Sequence, residues 1–167
     1  MTLAEYKSTH NGEFKQTNLV FLRREGQILL AMKKRGFGAG RWNGAGGKLE
    51  PGETFESAAR RETREEIGVV PKGLTEVATL KFYWTVAEHV MKNVITVVYV
   101  CDAWEGEPVE TEEMAPKWFD VTEIPYSQMW SDDEHWLPRV LAGEYVEAEM
   151  LFGPNDELLD KLVPVRR

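Results

Sequence analysis

The sequence predicts an α/β (α+β) fold, in which helices pack on a mixed β-sheet. Three observations support this prediction. β-type segments outnumber helical segments, only two residues separate the first two β-type segments, and a helix with one apolar face follows a glycine-rich stretch. A two-residue connection suits an antiparallel hairpin and is too short for the helical crossover that joins parallel strands. The sheet is therefore not expected to be purely parallel.

The first elements are a hairpin and a loop. Residues 17–24 and 27–33 are β-rich, and Glu25 and Gly26 between them form the predicted turn. Residues 35–47, the glycine-rich loop, contain six glycines in thirteen positions. We expect unusual backbone angles there, because glycine adopts conformations that other residues avoid.

A helix and several strands follow the glycine-rich loop. Residues 54–67 predict a helix, because Thr54 is a favoured N-cap residue and Gly68 follows its end. Runs rich in Val, Thr and aromatic residues predict the later strands. The remaining predicted elements are strands at 74–86 and 90–102, a short strand at 117–121, a helix at 133–142, and edge strands at 145–152 and 158–165.

Length, charge and cysteine content limit the classes of partner. A chain of 167 residues predicts one domain, 1–167, whose polar segment 1–16 is free to fray. The net charge of -8 disfavours a nucleic-acid polymer as partner. Cys101 is the sole cysteine, the first residues lack the apolar core of a signal peptide, and no apolar run approaches the ~18 residues of a membrane span. We expect a cytoplasmic monomer with no membrane partner.

The predicted helix 54–67 turns carboxylates toward the sheet. On a helical wheel its apolar stripe includes Ala58, and Glu62 and Glu66 fall within the same stripe, with Glu65 on its flank. Amphipathic helices ordinarily place their acids on the opposite face. An uncompensated inward carboxylate costs several kcal/mol, so a positive group is expected beside these side chains.

A divalent cation is the expected source of that positive charge. Arg60, Arg61 and Arg64 fall away from the apolar stripe, so the helix itself does not supply the partner. Mg²⁺ or Mn²⁺ with oxygen ligands fits, especially where a phosphate adds further ligands. The alternative interpretation is a solvated helix held by Glu–Arg pairs such as Arg61 with Glu65.

The positions around this helix resemble the signature of the MutT/Nudix hydrolases, the Nudix box. The matching residues are Gly47, Glu53, Arg61, Glu62, Glu65, Glu66 and Gly68. Thr63 departs from the aliphatic residue usual in the family, which is a small packing change. The resemblance implies a Nudix α/β/α sandwich, with a mixed, partly curled β-sheet between helices, and hydrolysis that requires Mg²⁺, with Mn²⁺ as a substitute.

Residues 32–48, 106–114 and 129–133 resemble one branch of that family, the mammalian-type 8-oxo-dGTP diphosphatases. The similarity covers roughly residues 17–162. It implies cleavage of oxidised or otherwise modified purine nucleoside triphosphates, such as 8-oxo-dGTP and 2-hydroxy-dATP, to the monophosphate and pyrophosphate. Ala45 replaces a bulky aromatic residue of that branch and is expected to widen the phosphate or sugar side of the pocket.

The resemblance also implies a set of site residues. The implied metal ligands are the Gly46 carbonyl, Glu62, Glu65, Glu66 and Glu113, and Glu66 or a neighbour would orient or deprotonate the attacking water. Residues facing the phosphates would be Lys33, Gly46, Gly47 and Lys48. Those matching the purine pocket are Asn43, Trp130, Asp132 and Asp133, with Phe82 and Trp84 as aromatic walls and Asn18 where the branch has a small hydroxyl residue. Arg61 would pair with Glu53.

Asp132 and Asp133 are adjacent acids that follow Trp130. In a partly dry pocket their pKa values should diverge, with one carboxyl protonated near neutral pH. A neutral acid donates a hydrogen bond and an ionised one only accepts, so the pair would suit purine edges of either polarity. The alternative is that Ser131 or Asp132 merely caps the following helix.

Three functions remain open from the sequence. The first is a hydrolase that removes modified purine nucleoside triphosphates from the nucleotide pool. The second is a Nudix pyrophosphohydrolase with a broad or different range of nucleoside-diphosphate-linked substrates. The third is a non-catalytic nucleotide sensor or interaction domain, which should have lost glutamates of the box, whereas Glu62, Glu65 and Glu66 are all present.

Overall fold

The computed structural model describes residues 1–10, 12–85 and 93–164. The strands are β1 (Lys15–Arg24), β2 (Gln27–Lys33), β3 (Trp42–Asn43), β4 (Val70–Pro71), β5 (Leu74–Trp84), β6 (Asn93–Cys101), β7 (Trp104–Glu105), β8 (Met114–Asp120), β9 (Val146–Phe152) and β10 (Leu158–Leu162). The helices are α1 (Leu3–Thr9), α2 (Phe55–Ile67) and α3 (Asp133–Leu141), with a 3₁₀ turn at Tyr126–Gln128.

Eight strands form one mixed sheet, as the sequence predicts. Their order is β10-β9-β5-β6-β1-β2-β3, and β8 also pairs with β2. The pairs β1–β6 and β5–β9 are parallel, and the other pairs in this sheet are antiparallel. β4 and β7 form a separate antiparallel ribbon. This sheet carries the helices on both faces.

The first hairpin has the predicted two-residue turn. Arg24 pairs with Gln27 across the turn, and Gly26 has a φ of 69°, which favours glycine. The β1–β2 ladder contains only two residue pairs, so the two strands separate beyond the turn. Residues of the glycine-rich loop and its continuation form bridges to β1 in this region, at Val20 and Thr17.

The two longer helices pack on opposite faces of β1, because neighbouring side chains of a strand point in opposite directions. Leu22 belongs to the core cluster that contains Ala59 and Ile67 of α2. Phe21 belongs to the core cluster that contains Trp136 of α3, with 6.2 Å between the two ring centroids. The sheet is therefore the middle layer of a sandwich.

The N-terminal segment is more ordered than its polar composition suggests. Thr2 and Glu5 form a capping box at the start of α1. Leu3 and Tyr6 are buried in a third cluster with Tyr83 of β5. A seven-residue helix has too few turns for a clear amphipathic pattern, so only its tertiary packing reveals it.

Strand 145–152 was expected at an edge, and this expectation is wrong. β9 lies between β10 and β5, and only β10 occupies that edge of the sheet. The burial of the two strands agrees with these places, because β9 is buried at five of its seven residues and β10 at none. The predicted strands run past the observed ones at Thr85, Asp102, Val121, Tyr145 and residues 163–164. Their residues 86, 90–92 and 165 lie outside the described residues.

None of the helices in the described residues is both long and apolar enough to cross a membrane.

Candidate active site

The end of the glycine-rich loop lies directly against β1. Ala45 and Val20 exchange two backbone hydrogen bonds, of 3.0 and 2.6 Å, and the Asn18 amide donates to the Gly47 carbonyl at 3.0 Å. Gly46 has a φ of 147°, and a Cβ built on it would lie 2.1 Å from the Asn18 carbonyl oxygen. Only glycine fits at this position, so the contact fixes the path of the loop.

Helix α2 brings its glutamates to the same place. The helix begins after Thr54, whose hydroxyl accepts from the Ser57 amide, and ends at Gly68 in the left-handed conformation. A Cβ on Gly47 would lie 2.8 Å from the Glu62 carboxyl carbon, so the loop and the helix are in close contact. The predicted helix and both of its ends are confirmed.

Glu66 faces the interior, as the helical wheel predicts. Its side chain is 6% exposed, and one carboxylate oxygen accepts from the Gly46 amide at 3.0 Å. Burial raises the pKa of Glu66 to about 8, the Gly46 amide opposes this shift, and the negative charges of Glu62 and Glu113 add to it. This carboxylate therefore favours a nearby cation.

Arg61 does not point away from the carboxylates, contrary to expectation. Its guanidinium donates to Glu53 at 2.8 and 2.9 Å, to Glu62 at 3.0 Å and to Glu65 at 3.1 Å. The arginine side chain is long enough to reach around the helix, which a wheel of Cβ positions does not represent. The predicted Arg61–Glu53 pair is confirmed, and hydrogen bonds to Arg61 hold the pKa of Glu53 at about 2.

The predicted metal ligands are neighbours, but they do not form a closed cage. Within the described ranges, no group of three or more His, Cys, Asp or Glu side chains is positioned to hold one metal ion. Arg61 occupies one oxygen each of Glu62 and Glu65, and Glu113 lies 3.7 Å from Arg35. The donor chemistry nevertheless fits a hard divalent cation, because all candidate ligands are oxygens and Glu66 is buried beside negative charges.

A cavity of about 180 Å³ opens next to these glutamates. The predicted site residues that line it are Asn18, Lys33, Asn43, Gly46, Gly47, Phe82, Trp84, Trp130, Asp132 and Asp133. Lys48 is exposed, does not line the cavity, and lies beside Lys15. The structure therefore brings the predicted purine-pocket residues together, with the loop glycines between them and α2.

Asp132 and Asp133 are almost fully buried, at 2% and 3% exposure. One Asp132 oxygen accepts a hydrogen bond from the Trp136 indole at 2.8 Å. No side chain forms a capping hydrogen bond at the described start of α3, where Asp132 is the N-cap residue. Burial raises the pKa of both carboxyls, and the charge of Asp132 raises the pKa of Asp133 further. Geometry therefore does not support the capping interpretation.

Several lining residues were missed from the sequence. Phe37, Arg41 and Phe152 all line the cavity. The Arg41 guanidinium lies 4.1 Å from the centre of the Trp130 ring, and the Phe37 ring centre lies 5.1 Å from it. Phe37 stands between glycines in the glycine-rich loop, which was a usable signal for a residue presented to a ligand. Nothing local marks Phe152, because its position depends on the pairing of β9 with β5.

The expectation for Ala45 is wrong. Its side chain is buried in the core cluster with Ala59 and Ile67 and does not line the cavity, whereas Gly44 and Gly46 on either side do. The alternating direction of an extended segment turns Ala45 toward α2. Its small size therefore affects core packing and leaves the width of the cavity to other residues.

A protein-family model described as the NUDIX domain matches residues 14–140. The chain is 48% identical over 146 residues to the oxidized purine nucleoside triphosphate hydrolase of Danio rerio, covering 87% of this chain and 92% of that protein. It is 39% identical over 141 residues to the protein of the same description from Mus musculus, covering 84% and 88% of the two chains.

Solved structures show the same fold. A MutT protein from Bacillus halodurans superposes with a TM-score of 0.80 at 20% identity, covering 92% of this chain and all of that one. A MutT NUDIX hydrolase from Burkholderia pseudomallei gives a TM-score of 0.61 at 28% identity, covering 68% of this chain and 88% of the other.

Proposed function

This chain belongs to the Nudix family, and we propose on that basis that it is a pyrophosphohydrolase of oxidised and otherwise modified purine nucleoside triphosphates. The products would be the nucleoside monophosphate and pyrophosphate, so that damaged purines leave the nucleotide pool. The relatives from Danio rerio and Mus musculus, which match most of the chain, carry the description of this activity.

One observation carries the choice of a purine substrate. Two adjacent buried carboxyls, Asp132 and Asp133, lie in a cavity with aromatic walls that include Phe82, Trp84 and Trp130. Aromatic faces stack on a base, and carboxyls in a dry pocket form hydrogen bonds with its polar edge. A sugar or an isolated phosphate would leave most of these apolar faces without a partner.

The two carboxyls would recognise the base through different protonation states. Burial and the neighbouring Asp132 charge both raise the pKa of Asp133, so Asp133 keeps its proton more readily than an exposed acid. A protonated Asp133 donates a hydrogen bond, while an ionised Asp132 accepts one. This combination suits oxidised guanine and hydroxylated adenine, which present donors and acceptors in different orders.

The triphosphate would extend from this cavity toward α2. Lys33, Gly46 and Gly47 line the side of the cavity next to the helix, and Lys33 places positive charge near Glu66. Gly46 and Gly47 line the cavity with their backbone, which a phosphate can approach closely. These residues would orient the phosphates for in-line attack by water.

Mg²⁺, or Mn²⁺ as a substitute, would be held by oxygen ligands at the end of the cavity next to α2. These ligands would be Glu62, Glu65, Glu66, Glu113 and the Gly46 carbonyl. When bound, such an ion neutralises phosphate charge and lowers the pKa of water. Binding would require Glu62 and Glu65 to exchange their contacts with Arg61 for contacts with the ion. Glu66, which the Gly46 amide holds in place, would then orient the attacking water or accept its proton.

We extend the proposal to the whole chain, residues 1–167, as one Nudix domain that acts as a monomer in the cytoplasm. The core clusters contain side chains from most of its strands, and the sole cysteine, Cys101, is buried and free. A reduced buried thiol is compatible with the cytosol.

The test is pyrophosphate release with a panel of substrates, with Mg²⁺ present and then removed by a chelator. The panel contains 8-oxo-dGTP, 2-hydroxy-dATP, O6-methyl-dGTP, dGTP, dATP, a nucleotide sugar and a dinucleoside polyphosphate. We expect modified purines to have the highest kcat/KM and the chelator to abolish activity. Equal kcat/KM for modified and normal purines would overturn the sanitising function and favour a broad Nudix pyrophosphohydrolase.

A further inference from the structure

Trp84 is the last residue of β5 and forms part of the aromatic wall of the cavity. Phe82 and Trp84 line the cavity together, because alternate residues of a strand face the same side. The Trp84 side chain is held tightly: it is 5% exposed and stacks on Phe152, with 5.4 Å between ring centres and 21° between planes. The indole therefore has little freedom to reorient.

The indole nitrogen of Trp84 is buried and lacks a hydrogen-bond partner in the part of the chain that the structure describes. Buried tryptophans usually satisfy this donor. The neighbouring Trp136 does so, since its indole nitrogen donates to Asp132 at 2.8 Å. The Trp84 N–H has therefore lost its hydrogen bond to water and has not gained another acceptor in the protein. A ligand in the cavity can supply that acceptor.

Two further residues that line the cavity carry buried oxygens without a partner in the described part of the chain. Among the buried side-chain atoms without a partner in the described residues, Asn18 Oδ1, Asp133 Oδ2 and Trp84 Nε1 belong to cavity-lining residues. An amide oxygen accepts, an indole nitrogen only donates, and the Asp133 carboxyl donates when protonated and accepts when ionised. A complementary ligand therefore carries at least one donor, for Asn18, and at least one acceptor, for Trp84, on the part that enters the cavity.

A purine base meets this requirement and a phosphate chain does not, because ionised phosphates only accept. The surroundings of Trp84 are also aromatic: Phe152 stacks on it, and Phe37 contacts it edge-on at 6.0 Å. Lys33 and the loop glycines lie on the wall assigned above to the phosphates. The base is therefore the part of the nucleotide that lies nearest Trp84.

We infer that Trp84 is a specificity-determining residue whose indole N–H donates a hydrogen bond to a ring nitrogen or carbonyl oxygen of the purine. This inference rests on the proposed function and deepens it, because it adds a fixed donor to the titratable pair Asp132 and Asp133. A fixed donor favours bases with an acceptor at the facing position, at every pH at which the protein is folded.

A direct test uses NMR of protein labelled with ¹⁵N in its tryptophan indoles. The chain contains six tryptophans, and the Trp84→Phe variant identifies the Trp84 signal by its loss. We expect a non-hydrolysable analogue of 8-oxo-dGTP to move the Trp84 indole proton downfield and to slow its exchange with solvent. Inorganic tripolyphosphate should leave both unchanged. An unshifted Trp84 proton in the saturated complex would overturn the inference.

A kinetic test removes the N–H and keeps the shape of the side chain. Replacement of Trp84 by benzothienylalanine, in which sulfur takes the place of the indole N–H, should lower kcat/KM for modified purine substrates about 5- to 10-fold, the effect of one lost hydrogen bond. Base-free deoxyribose triphosphate should be hydrolysed as by the wild type. The Trp118→Phe variant is the control, because Trp118 does not line the cavity.

The two proposals fail in different ways. If the benzothienylalanine variant loses kcat/KM equally on base-free and purine substrates, or loses none on either, the role of Trp84 is overturned. The sanitising function would remain intact. If the wild type does not prefer modified purines, the sanitising function fails, and the NMR titration with dGTP or dATP still decides whether Trp84 donates to a purine.

Discussion

At the scale of single residues, the candidate site contains acids that are buried without full compensation. Glu66 is 6% exposed and accepts one hydrogen bond from Gly46, yet Glu62 and Glu113 place further negative charge nearby. A buried carboxylate in this environment lowers the stability of the fold, because an uncharged residue of similar shape would pack with less desolvation. This cost indicates that Glu66 has a function.

The Glu66→Gln variant should lose turnover by orders of magnitude and keep its fold. Glutamine can still contact the Gly46 amide, but it is a poor ligand for a divalent cation and cannot accept a proton from water. Steady-state pyrophosphate release and circular dichroism would measure the two effects. Glu56→Gln, on the exposed side of the same helix, is the matched control and should retain activity. Wild-type turnover of Glu66→Gln would exclude this residue from the mechanism.

The pair Asp132 and Asp133 should control the choice of base. Asp133→Asn keeps a neutral donor at position 133 at every pH, so it should preserve activity on one class of purine and lose it on others. Asp132→Asn should shift the preference differently, because it replaces the acceptor that Trp136 holds in place. Ratios of kcat/KM between 8-oxo-dGTP and 2-hydroxy-dATP measure this effect. A uniform loss on all nucleotides in both variants would mean that the pair serves only folding.

The same pair should make stability depend on pH. Both carboxyls have pKa values raised by burial, so the native state retains protons that the unfolded chain releases. The free energy of unfolding should therefore fall as the pH rises above the ordinary aspartate pKa of 3.8 and through the higher native values. Urea unfolding across this range measures the slope. The Asp133→Asn variant should show a flatter dependence of the unfolding free energy on pH. An unchanged slope would contradict the conclusion that burial raises the pKa of Asp133.

At the scale of elements, helix α1 supports the cavity wall from behind. Tyr6 contacts Tyr83 edge-on at 5.8 Å, and Tyr83 is flanked on β5 by Phe82 and Trp84, which face the cavity. Lys7 of α1 also pairs with Glu149 of β9 at 2.8 Å. The helix therefore covers the face of β5 and β9 that lies opposite the aromatic wall.

Tyr6→Ala should lower the free energy of unfolding by about 3 kcal/mol, as expected for truncation of a buried aromatic residue. Tyr6 is 3% exposed, so the truncation leaves a cavity behind β5. Tyr6→Phe is the matched control and should change stability little, because it keeps the ring. Chemical denaturation compares the two variants. Equal stability of Tyr6→Ala and the wild type would show that α1 does not hold this wall in solution.

At the scale of the whole molecule, a negative protein must bind a negative substrate. The chain carries a net charge of -8, and the triphosphate adds more negative charge. Under the proposed function, divalent cations held by the glutamates of α2 would resolve this conflict locally, because they would neutralise the charge of the phosphates. The negative net charge would likewise disfavour nucleic-acid polymers as partners.

Mg²⁺ together with a non-hydrolysable nucleotide should raise the Tm. At concentrations about 100-fold above Kd, binding adds about 2.7 kcal/mol to the free energy of unfolding, which corresponds to a rise of roughly 5 to 10 °C for a chain of this size. Differential scanning fluorimetry measures the shift, and KCl at equal ionic strength is the control. A chelator should reverse the rise. An equal rise in the Tm of the Glu66→Gln variant would show that the ion binds away from Glu66.

The sequence by itself determined the helix α2, the first hairpin and the positions of most strands along the chain. These features follow from local causes: a Thr54 cap, a Gly68 terminus, a two-residue turn and alternating β-type runs. The spacing of glutamates on one helix likewise predicted that Glu66 faces inward, because helical geometry fixes which positions share a face.

Only the tertiary structure decided what those side chains meet. Arg61 reaches back to Glu62, Ala45 turns into the core, and β9 lies inside the sheet. The unpartnered nitrogen of Trp84 is likewise visible only after β5 and β9 pair and bring Phe152 against it. Such contacts join residues far apart in the chain, and the local pattern around each residue carries no information about the distant partner.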